Sequence, residues 1–466
     1  MDGLRPVPRV AYARWLDALS RAGWPASSGP PGGAAAERLP VGAALGRITA
    51  APVLAQWPSP RADCAAMDGI AVRAADLAAA RAVSAADDWA GSDHPGDGPP
   101  ADGAPGDARD CAQHDRAHDD GGGPADRGTV RLAAGTFEWV DTGDPMPAGT
   151  DTVVMRERLL PQPGGGIFVA PAVSSRLGGG RGTAAVVPGC HVRAAGEDFR
   201  AGELLVPAGR RLRPGDLAAA AAGGLLTVAV LPRPVVAIIP TGDEIRSVGS
   251  VLRRGDILDT NSLMLAARCR QLGAEPAVSA VVPDDPDTLA AELRQAAAGA
   301  DLVLVIAGSS RGRGDHAAAV IAQVGGVAVA GVAVRPGHPA LLGHAKRHAG
   351  IAPVIGLPGY PLSTTVVFEL FAAPLLAALT GQPPDTKLTR ARLDRDWHSP
   401  GDVEDWVLVT LGRAGPDGVP AATPARRGAS SISQLARSDA WWPIPAGQGR
   451  FTAGAAVEVI PIPDLG

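Results

Sequence analysis

The sequence has few cysteines, few aromatic residues and almost no lysine, and these shortages exclude several classes of protein. Its four cysteines lie far apart, without a CxxC pair or a Cys/His metal spacing, which favours a reduced cytoplasmic setting over a disulfide framework. Only 4% of the residues are aromatic, and we expect no 18-residue apolar span and no signal peptide. These features predict a soluble globular protein without a membrane partner.

Acidic charge is concentrated in one segment of the chain. The formal net charge is −5, but residues 87–127 contain eleven Asp and three Arg, so the remainder has a net charge of +3. This small excess is compatible with an anionic ligand but not with the basic stripe of a nucleic-acid binder. Lys346 and Lys387 are the only lysines, a bias that resembles codon composition, so a missing lysine is weak evidence at any one position.

The acidic segment is rich in Asp, Gly and Pro and has no aliphatic periodicity. Such a segment cannot bury enough apolar surface to offset its ordering entropy, so we predict a disordered insertion over residues 85–128. A metal-binding tract formed by His94, His114 and His118 is the functional alternative, although the spacing of these histidines is irregular.

A repeated strand and helix pattern organises residues 235–381. Short apolar runs at 235–240, 301–307 and 353–357 predict strands that are buried on both faces. Helical patterns lie between or after these runs, at Asn261 to Leu272, Asp287 to Ala298, His316 to Val324 and Leu362 to Leu379. This alternation predicts a parallel sheet that binds its ligand at the carboxyl ends of the strands.

The other parts of the chain predict short helices and β structure. We expect helices at Tyr12 to Ala22 and Pro214 to Ala222, a strand at Gly69 to Val72 and two strands within residues 135–157. Beyond residue 383 apolar and polar residues alternate, which predicts a small antiparallel β domain.

Two adjacent carboxylates, Asp243 and Glu244, follow the first strand of the predicted sheet. Together with Asp259 they place several acids near one sheet edge, and Mg²⁺ prefers oxygen ligands of this kind. The structural alternative is that Asp243 hydrogen-bonds its own turn and that Asp259 caps the helix beginning near Asn261. The residues alone leave both interpretations open.

Three further polar residues lie in loops outside this sheet. Asp68 precedes a strand, Thr142 begins a Thr-Gly-Asp turn and Glu197 follows Gly196. Each has a structural interpretation, as a turn residue or a solvated loop acid, and for Asp68 the residues alone favour it.

Two loops of the central region have the features of an anion site. Gly308-Ser-Ser-Arg-Gly-Arg-Gly314 precedes a helix and combines backbone N–H groups, hydroxyls and two arginines, although it lacks the Lys-Ser/Thr ending of a nucleotide P-loop. Arg335-Pro-Gly-His-Pro339 follows a predicted strand at residues 327–334 and adds Arg335 and His338. Arginine suits bidentate binding of an oxyanion.

Six short segments, taken together and in order, carry a resemblance to a known family. They are Ala65 to Arg73, Thr142 to Met155, Arg193 to Asp198, Thr241 to Glu244, Asp259 to Asn261 and Gly356 to Pro361. With these segments the chain resembles the MoeA family, molybdopterin molybdenumtransferase, over about residues 4–460, apart from the acidic insertion. The central domain of that family is similar to the molybdopterin adenylyltransferases and to the E domain of gephyrin.

The resemblance implies an elongated, multidomain subunit of the α/β plus β class, usually a homodimer. An N-terminal linker or dimerisation domain is expected over residues 4–57 and 172–232, with a β domain inserted at 58–171. A molybdopterin-binding α/β domain with a parallel sheet is expected over 233–382, and an antiparallel β domain over 383–466.

The resemblance also implies a reaction, in which molybdate is placed on the dithiolene of adenylylated molybdopterin with Mg²⁺-dependent loss of AMP. Cleaving such an adenylate needs carboxylate-held Mg²⁺ and a positioned nucleophile, either a molybdate oxygen or water. The pterin site would lie between the central domain and the Asp68 loop of the partner subunit. Molybdopterin adenylyltransferase and client molybdoenzymes are the implied protein partners.

Residue roles follow from the resemblance by position. The implied catalytic residues are Asp68, Thr142, Glu197, Asp243 and Asp259. The implied ligands of Mg²⁺ are Asp243, Glu244 and Asp259. The implied substrate-binding residues are Thr241, Gly242, Gly308, Ser309, Ser310, Asp315, Arg335, His338, Pro358 and Pro361.

Three loops depart from the family pattern. Gly-Gly-Val-Ser-Val-Gly is replaced by Gly308-Ser-Ser-Arg-Gly-Arg313, Lys-Pro-Gly-Lys-Pro by Arg335-Pro-Gly-His-Pro339, and Pro-Gly-Asn-Pro by Pro358-Gly-Tyr-Pro361. Both usual lysines are therefore absent, and the clustering of the changes indicates a divergent subgroup with altered substrate handling.

Other functions remain open at this stage. A tungstate-specific insertase, a non-catalytic carrier or scaffold for the pterin, and an adenylyl transferase are the alternatives. The retained acids Asp68, Asp243 and Asp259 favour an enzyme, whereas the loss of both lysines favours a carrier.

Overall fold

The computed structural model describes residues 5–24, 36–80, 130–161, 166–169, 172–173, 183–184, 186–307, 316–348, 350–381 and 388–462. The predicted insertion at 85–128 and the loop at 308–315 lie outside these residues. Contacts divide the chain into two compact units. The first comprises residues 1–38, 46–50 and 229–466, and the second comprises residues 39–45 and 51–228.

The chain before residue 231 is built mainly from short strands. Its helices include α1 (Pro8–Arg21) and α2 (Pro214–Ala222), residues 74–80 are also helical, and 3₁₀ turns occupy Val41–Ala43 and Arg156–Arg158. Its strands are β1 (Glu37–Pro40), β2 (Val53–Leu54), β3 (Cys64–Ala65), β4 (Gly69–Val72), β5 (Val130–Leu132), β6 (Glu138–Val140), β7 (Thr152–Met155), β8 (Leu159–Pro161), β9 (Ile167–Val169), β10 (Ala172–Val173), β11 (Thr183–Ala184), β12 (Val192–Arg193), β13 (Leu204–Val206) and β14 (Thr227–Val230).

Two antiparallel three-stranded sheets form the core of the second unit, in the orders β6-β4-β7 and β5-β9-β8. Ile70, Val154 and Val130 are buried between them in one apolar cluster. The predicted strand at Gly69 to Val72 and the predicted helix at Pro214 to Ala222 are confirmed.

The central region contains the longest elements. Its strands are β15 (Val235–Pro240), β16 (Ile245–Arg246), β17 (Ile257–Leu258), β18 (Glu275–Val278), β19 (Leu302–Ala307), β20 (Gly325–Ala330), β21 (Val334–Arg335), β22 (Leu341–Lys346) and β23 (Ile351–Pro358). Its helices are α3 (Thr260–Gln271), α4 (Pro286–Gly299), α5 (Ala317–Val324), α6 (Pro361–Val367) and α7 (Ala373–Thr380), and a π-helical turn at Phe368–Ala372 joins the last two.

The central sheet has the strand order β18-β15-β19-β23-β22-β20. The first four strands are parallel, as predicted, whereas β22 pairs antiparallel with both β23 and β20, so the sheet is mixed rather than parallel throughout. Only a short connection separates β22 from β23, and antiparallel neighbours need no crossover helix. The predicted strand at 327–334 is also too long, because β20 ends at Ala330 and Gly331 turns the chain with φ +84°.

Each strand at the centre of this sheet is buried on both faces. Val236 and Ile238 of β15 face one apolar cluster, and Ala237 and Ile239 face the other. Helices α4 and α5 cover the second face, while α1, α3 and the segment 361–380 cover the first. These strands have no alternation of apolar and polar residues because both of their faces are buried, as the sequence predicted.

The helical segment 361–380 corrects the expectation that no 18-residue apolar span exists. Among the described residues it is the one helix long and apolar enough to cross a membrane, although 61% of its most apolar window is buried inside the protein. Phe371 and Leu375 are fully buried against the sheet, and its one acid, Glu369, forms an ion pair with Arg268 at 2.7 Å. Its composition is explained by its place in the core.

The C-terminal region is a β domain with one short helix, α8 (Ile432–Arg437). Its strands are β24 (Thr389–Leu393), β25 (Trp397–His398), β26 (Glu404–Ala414), β27 (Pro420–Pro424), β28 (Ala440–Ile444), β29 (Arg450–Phe451) and β30 (Ala456–Pro461). The main sheet has the order β21-β26-β27-β24-β30-β28 and is largely antiparallel, as predicted. Its edge strand β21 belongs to the central region and pairs in parallel with β26.

Candidate functional site

Two of the predicted catalytic residues, Asp68 and Thr142, are in direct contact. The Asp68 Oδ1 atom accepts hydrogen bonds from the backbone N–H and the hydroxyl of Thr142, each at 2.7 Å. These bonds, the side-chain one first, lower the pKa of Asp68, and the charge of Arg156 lowers it further. Asp68 is therefore an exposed carboxylate that stays ionised, and Thr142 fixes its orientation.

The backbone around Asp68 is fixed by a close strand approach. Gly69 begins β4, and a Cβ at this position would lie 2.0 Å from the Val154 carbonyl oxygen of β7. Only glycine fits there without moving the strand. The Met67-Asp68-Gly69 sequence therefore allows the close pairing of β4 with β7 and also fixes the position of the Asp68 carboxylate.

Glu197 lies in a loop of the same unit that is tied to the segment before Asp68. Strand β12 pairs with β3, the Ala195 N–H donates to Asp63 Oδ1 at 2.8 Å, and the Gly196 N–H donates to the Pro60 carbonyl at 3.0 Å. The Glu197 side chain is exposed and forms a loose ion pair with Arg193 at 3.4 Å. Its predicted catalytic role stays a prediction.

The carboxyl end of β15 carries the Thr-Gly-Asp-Glu turn. The buried Thr241 hydroxyl donates to the Ile306 carbonyl of β19 at 2.9 Å, which joins the two strand ends. Gly242 has φ +136°, and a Cβ there would meet Ile245 Cγ1 at 2.7 Å. The turn therefore leaves Asp243 and Glu244 exposed at this edge of the sheet.

Asp259 caps helix α3, as the structural interpretation predicted. Its Oδ1 atom accepts the Ser262 N–H at 2.9 Å. Asn261 is 8% exposed and donates from Nδ2 to the Gly359 carbonyl at 2.7 Å, which ties the start of α3 to the loop that follows β23. The Asn261 Oδ1 atom is buried and accepts no hydrogen bond from the described residues.

The acids at this edge have the oxygen donors that Mg²⁺ requires, but the described residues contain no complete set of metal ligands. No group of three or more His, Cys, Asp or Glu side chains in them could hold a metal ion alone. Burial raises the pKa of Asp284, and the negative charges of Asp243 and Glu244 raise it further. Mg²⁺ usually takes only one or two carboxylates plus substrate phosphate. The acids Asp243, Glu244 and Asp284, whose negative charges repel one another, therefore suit the binding of this ion.

A cavity of about 410 Å³ lies where the central and C-terminal sheets meet within the first unit. The central region contributes Arg335, His338 and Pro358, which were predicted to bind substrate, together with Tyr360. Pro361 is the first residue of α6 and does not line the cavity. Gly308, Ser309, Ser310 and Asp315 lie outside the described residues, so their predicted roles stay predictions.

The C-terminal domain contributes residues that the sequence interpretation did not assign to any site. Arg426 and Arg427 line the cavity from the loop after β27, and Trp397 and Asp405 line it from β25 and β26. The two adjacent arginines before Gly428 were the available sequence signal. Nothing in the residue pattern could show that this loop lies opposite Arg335.

Family models match three consecutive stretches of the chain. The MoeA N-terminal region (domain I and II) matches residues 15–224, a probable molybdopterin binding domain matches residues 237–378, and the MoeA C-terminal region (domain IV) matches residues 390–462.

Individual proteins and a solved structure agree with this order. A molybdopterin molybdenumtransferase of Nostoc sp. is 31% identical over 338 residues, covering 71% of this chain and 73% of the relative. Molybdopterin molybdenumtransferase 2 of Mycobacterium tuberculosis is 32% identical over 360 residues, covering 74% and 75%. The crystal structure of the molybdopterin biosynthesis MoeA protein from Pyrococcus horikosii is 27% identical, with a TM-score of 0.69 over 96% of this chain and 98% of that one. This chain belongs to the MoeA family.

Proposed function

We propose that the protein inserts molybdenum into adenylylated molybdopterin, using molybdate and releasing AMP. The relatives named molybdopterin molybdenumtransferase support this reaction class. The observation that carries the proposal is the Asp68 and Thr142 pair, because two segments of the family pattern meet to hold one exposed carboxylate in its ionised form. A carrier of finished cofactor has no evident need for such a group.

Asp68 has one oxygen available to the substrate. Its Oδ1 atom takes both bonds from Thr142, while its Oδ2 atom accepts no hydrogen bond from the described residues. Thr142 thus orients the carboxylate, and Oδ2 is the atom that would accept a proton or a hydrogen bond during the reaction. We infer that Thr142 is a positioning residue and that Asp68 touches the substrate.

The acids of the central domain have a separate role. Asp243 and Glu244, with Asp259, would hold Mg²⁺ beside the phosphate of the adenylylated pterin. Mg²⁺ would offset the negative charge of the phosphate as AMP leaves. Thr241 and Gly242 shape the turn that presents these acids, through the bond to Ile306 and the positive φ angle.

The cavity provides a site for an anionic substrate group. Arg335 and His338 supply cationic or proton-donating groups, and Pro358 forms part of the wall. In the chain as described, Arg335 forms no ion pair or side-chain hydrogen bond, so its donors are available to an oxyanion.

The proposal also covers the cellular compartment in which the protein works and its assembly. We infer a homodimer that works in the cytoplasm, receives adenylylated pterin from molybdopterin adenylyltransferase and passes the cofactor to client molybdoenzymes. The free thiols Cys64 and Cys269 support a reducing compartment, and burial raises the pKa of Cys269 to about 12.

The test is AMP release from adenylylated molybdopterin by the purified protein with Mg²⁺, with and without molybdate or tungstate. We expect release that depends on molybdate, and a fall of about 100-fold or more for Asp68→Ala and Asp243→Ala with pterin binding retained. Release with tungstate alone would identify a tungstate-specific insertase. Tight pterin binding without release would overturn the proposal in favour of a carrier.

A further inference from the structure

One end of the sheet β6-β4-β7 carries an exposed aromatic side chain beside Asp68. Trp139 of β6 is 53% exposed and lies opposite Ile70 of β4 in the antiparallel register. Asp68 precedes Ile70 by two residues, so Trp139 and Asp68 are diagonal neighbours on one face of the sheet. Diagonal neighbours are about 7–8 Å apart, which is within reach of an aromatic side chain. A molecule bound at Asp68 can therefore touch the indole ring.

The indole ring of Trp139 is held from one side. Phe137 packs against the apolar cluster of this unit, and its ring centre lies 6.3 Å from that of Trp139, with the two planes at 88°. Such an edge-to-face pair is favourable. Because Phe137 already restricts the indole, a ligand that stacks on its free side costs little further side-chain entropy.

Arg156 lies on the other side of Asp68. It follows β7, and its backbone N–H donates to the Asp68 carbonyl at 2.9 Å. Its side chain is exposed and forms no hydrogen bond or ion pair with the residues that the structure describes. The charge of Arg156 is close enough to Asp68 to lower the pKa of that carboxyl. The guanidinium N–H donors are therefore available to an anionic group of a ligand bound at Asp68.

The groups around Asp68 differ in chemistry from one side of the sheet to the other. Strand β4 lies between β6 and β7, so Trp139 and Arg156 are separated by two strand spacings, about 10 Å across the strands. The exposed Asp141 follows β6 on the side of Trp139. Amino groups on a nitrogen heterocycle suit the carboxylates on this side, and a phosphate joined to the heterocycle suits the guanidinium on the other.

We propose that Trp139 and Arg156 form a platform around Asp68 for a heteroaromatic ring that carries a phosphate, with the ring stacked on Trp139 and the phosphate paired with Arg156. The inference rests on the proposed function, whose adenylylated pterin contains two such rings, the adenine and the pterin. Trp139 and Arg156 both lie outside the six family segments. They are substrate-binding residues particular to this sequence pattern.

The test measures the affinity of the full-length protein for AMP, neopterin monophosphate and ribose 5-phosphate by calorimetry at constant ionic strength. The first two ligands carry a ring and a phosphate, and the third carries a phosphate without an aromatic ring. Trp139→Ala should weaken binding of a ring-bearing ligand about 10-fold, as expected for the loss of one stacked ring, and should leave ribose 5-phosphate unaffected. Trp139→Phe keeps an aromatic face and should retain most of the affinity.

Arg156→Gln removes the charge and tests the other side of the platform. It should weaken binding of all three ligands about 10-fold, and the loss should shrink at high salt because ions screen an exposed charge. Arg131→Gln and Leu160→Ala are the matched controls, since both residues are exposed on the sheet β5-β9-β8 rather than at the end of β4. We expect both controls to bind as the unaltered protein does.

The ligands distinguish which ring is stacked. If Trp139→Ala weakens AMP binding alone, the ring is adenine, and if it weakens neopterin monophosphate binding alone, the ring is the pterin. The proposal is overturned if Trp139→Ala changes neither affinity, if it weakens ribose 5-phosphate binding equally, or if the unaltered protein binds neither ring-bearing ligand.

Sedimentation of the same variants tests a different occupant of the indole face. A change in oligomeric state for Trp139→Ala with unaltered ligand affinity would show that Trp139 packs against a second copy of the chain, and would overturn the proposal. Binding needs no turnover, so a failure of the proposed reaction in the AMP-release assay is a separate outcome from a failure of the platform.

Discussion

At the scale of single residues, the ionisation of Asp68 depends on one neighbouring threonine. Hydrogen bonds from Thr142 lower the pKa of Asp68, so its charged form persists below the pH at which an ordinary Asp protonates. The stabilisation that these bonds provide is present above the pKa of the unfolded chain and is lost as the pH falls through the lower, folded value.

This dependence predicts a shift in the pH profile. Thr142→Val removes the hydroxyl donor, so the acid limb of kcat/KM for AMP release should move to higher pH, whereas Thr142→Ser should retain the original profile. The profile would be measured from about pH 3 to 8, a range that includes the ordinary carboxyl pKa of about 3.9. An unchanged acid limb in Thr142→Val would show that Asp68 does not control it.

Gly242 provides a second test at this scale, because its backbone has a conformation that other residues avoid. With φ +136° and a Cβ contact of 2.7 Å to Ile245, Gly242→Ala should destabilise the protein by about 1–3 kcal/mol in urea unfolding. Gly299→Ala is the control, since a Cβ there meets nothing within 4 Å and the residue ends helix α4. Equal stability of the two variants would contradict the strain argument.

At the scale of elements, Asp259 at the start of α3 has a structural role as a helix cap and a proposed role in the site, and the two roles can be tested separately. Asp259 caps α3 through Ser262, and Asp285 caps α4 by accepting the Thr288 N–H at 2.8 Å. Removing either cap should cost about 1 kcal/mol of unfolding free energy. Asp259→Ser keeps a capping oxygen but removes the charge.

If Asp259 also acts in the site, Asp259→Ser should fold with nearly unaltered stability and yet lose AMP release by about 100-fold. Asp285→Ala should lose stability and retain activity. Thermal unfolding and AMP release would be measured on the same preparations. Full activity in Asp259→Ser would leave the residue with the capping role alone.

At the scale of the whole molecule, the proposed site requires two copies of the chain. If Asp68 of one subunit completes the central-domain site of another, Asp68→Asn and Asp243→Asn subunits should each be inactive alone but active when mixed and re-associated. With random pairing, half of the dimers are mixed, and each mixed dimer has one intact site out of two. The mixture should therefore recover about a quarter of wild-type AMP release.

Co-expression of the two variants with different affinity tags isolates the mixed dimer and provides the sharper measurement. The purified mixed dimer should have about half of the wild-type activity per dimer. A mixture of Asp68→Asn with Asp68→Ala subunits is the control and should stay inactive, since both changes remove the same carboxylate from every site. Failure of the mixed dimer would place the complete site within one subunit.

The sequence by itself determined the elements whose pattern is local. The apolar runs of β15, β19 and β23, the periodicity of α3 and α4, and the capping residue Asp259 are each read from neighbouring residues, and the structure agrees with them. The family segments were visible for the same reason, since each one is a short run of adjacent residues.

Only the tertiary structure decided which distant residues meet. The antiparallel placement of β20 and β22, the Asp68 and Thr142 contact, and the approach of Arg426 and Arg427 to the Arg335 loop all join segments far apart in the chain. The burial of segment 361–380 belongs with these, because its composition alone also fits a membrane span. Strand register and packing set such distances, and neither is encoded in the residues next to the groups that they bring together.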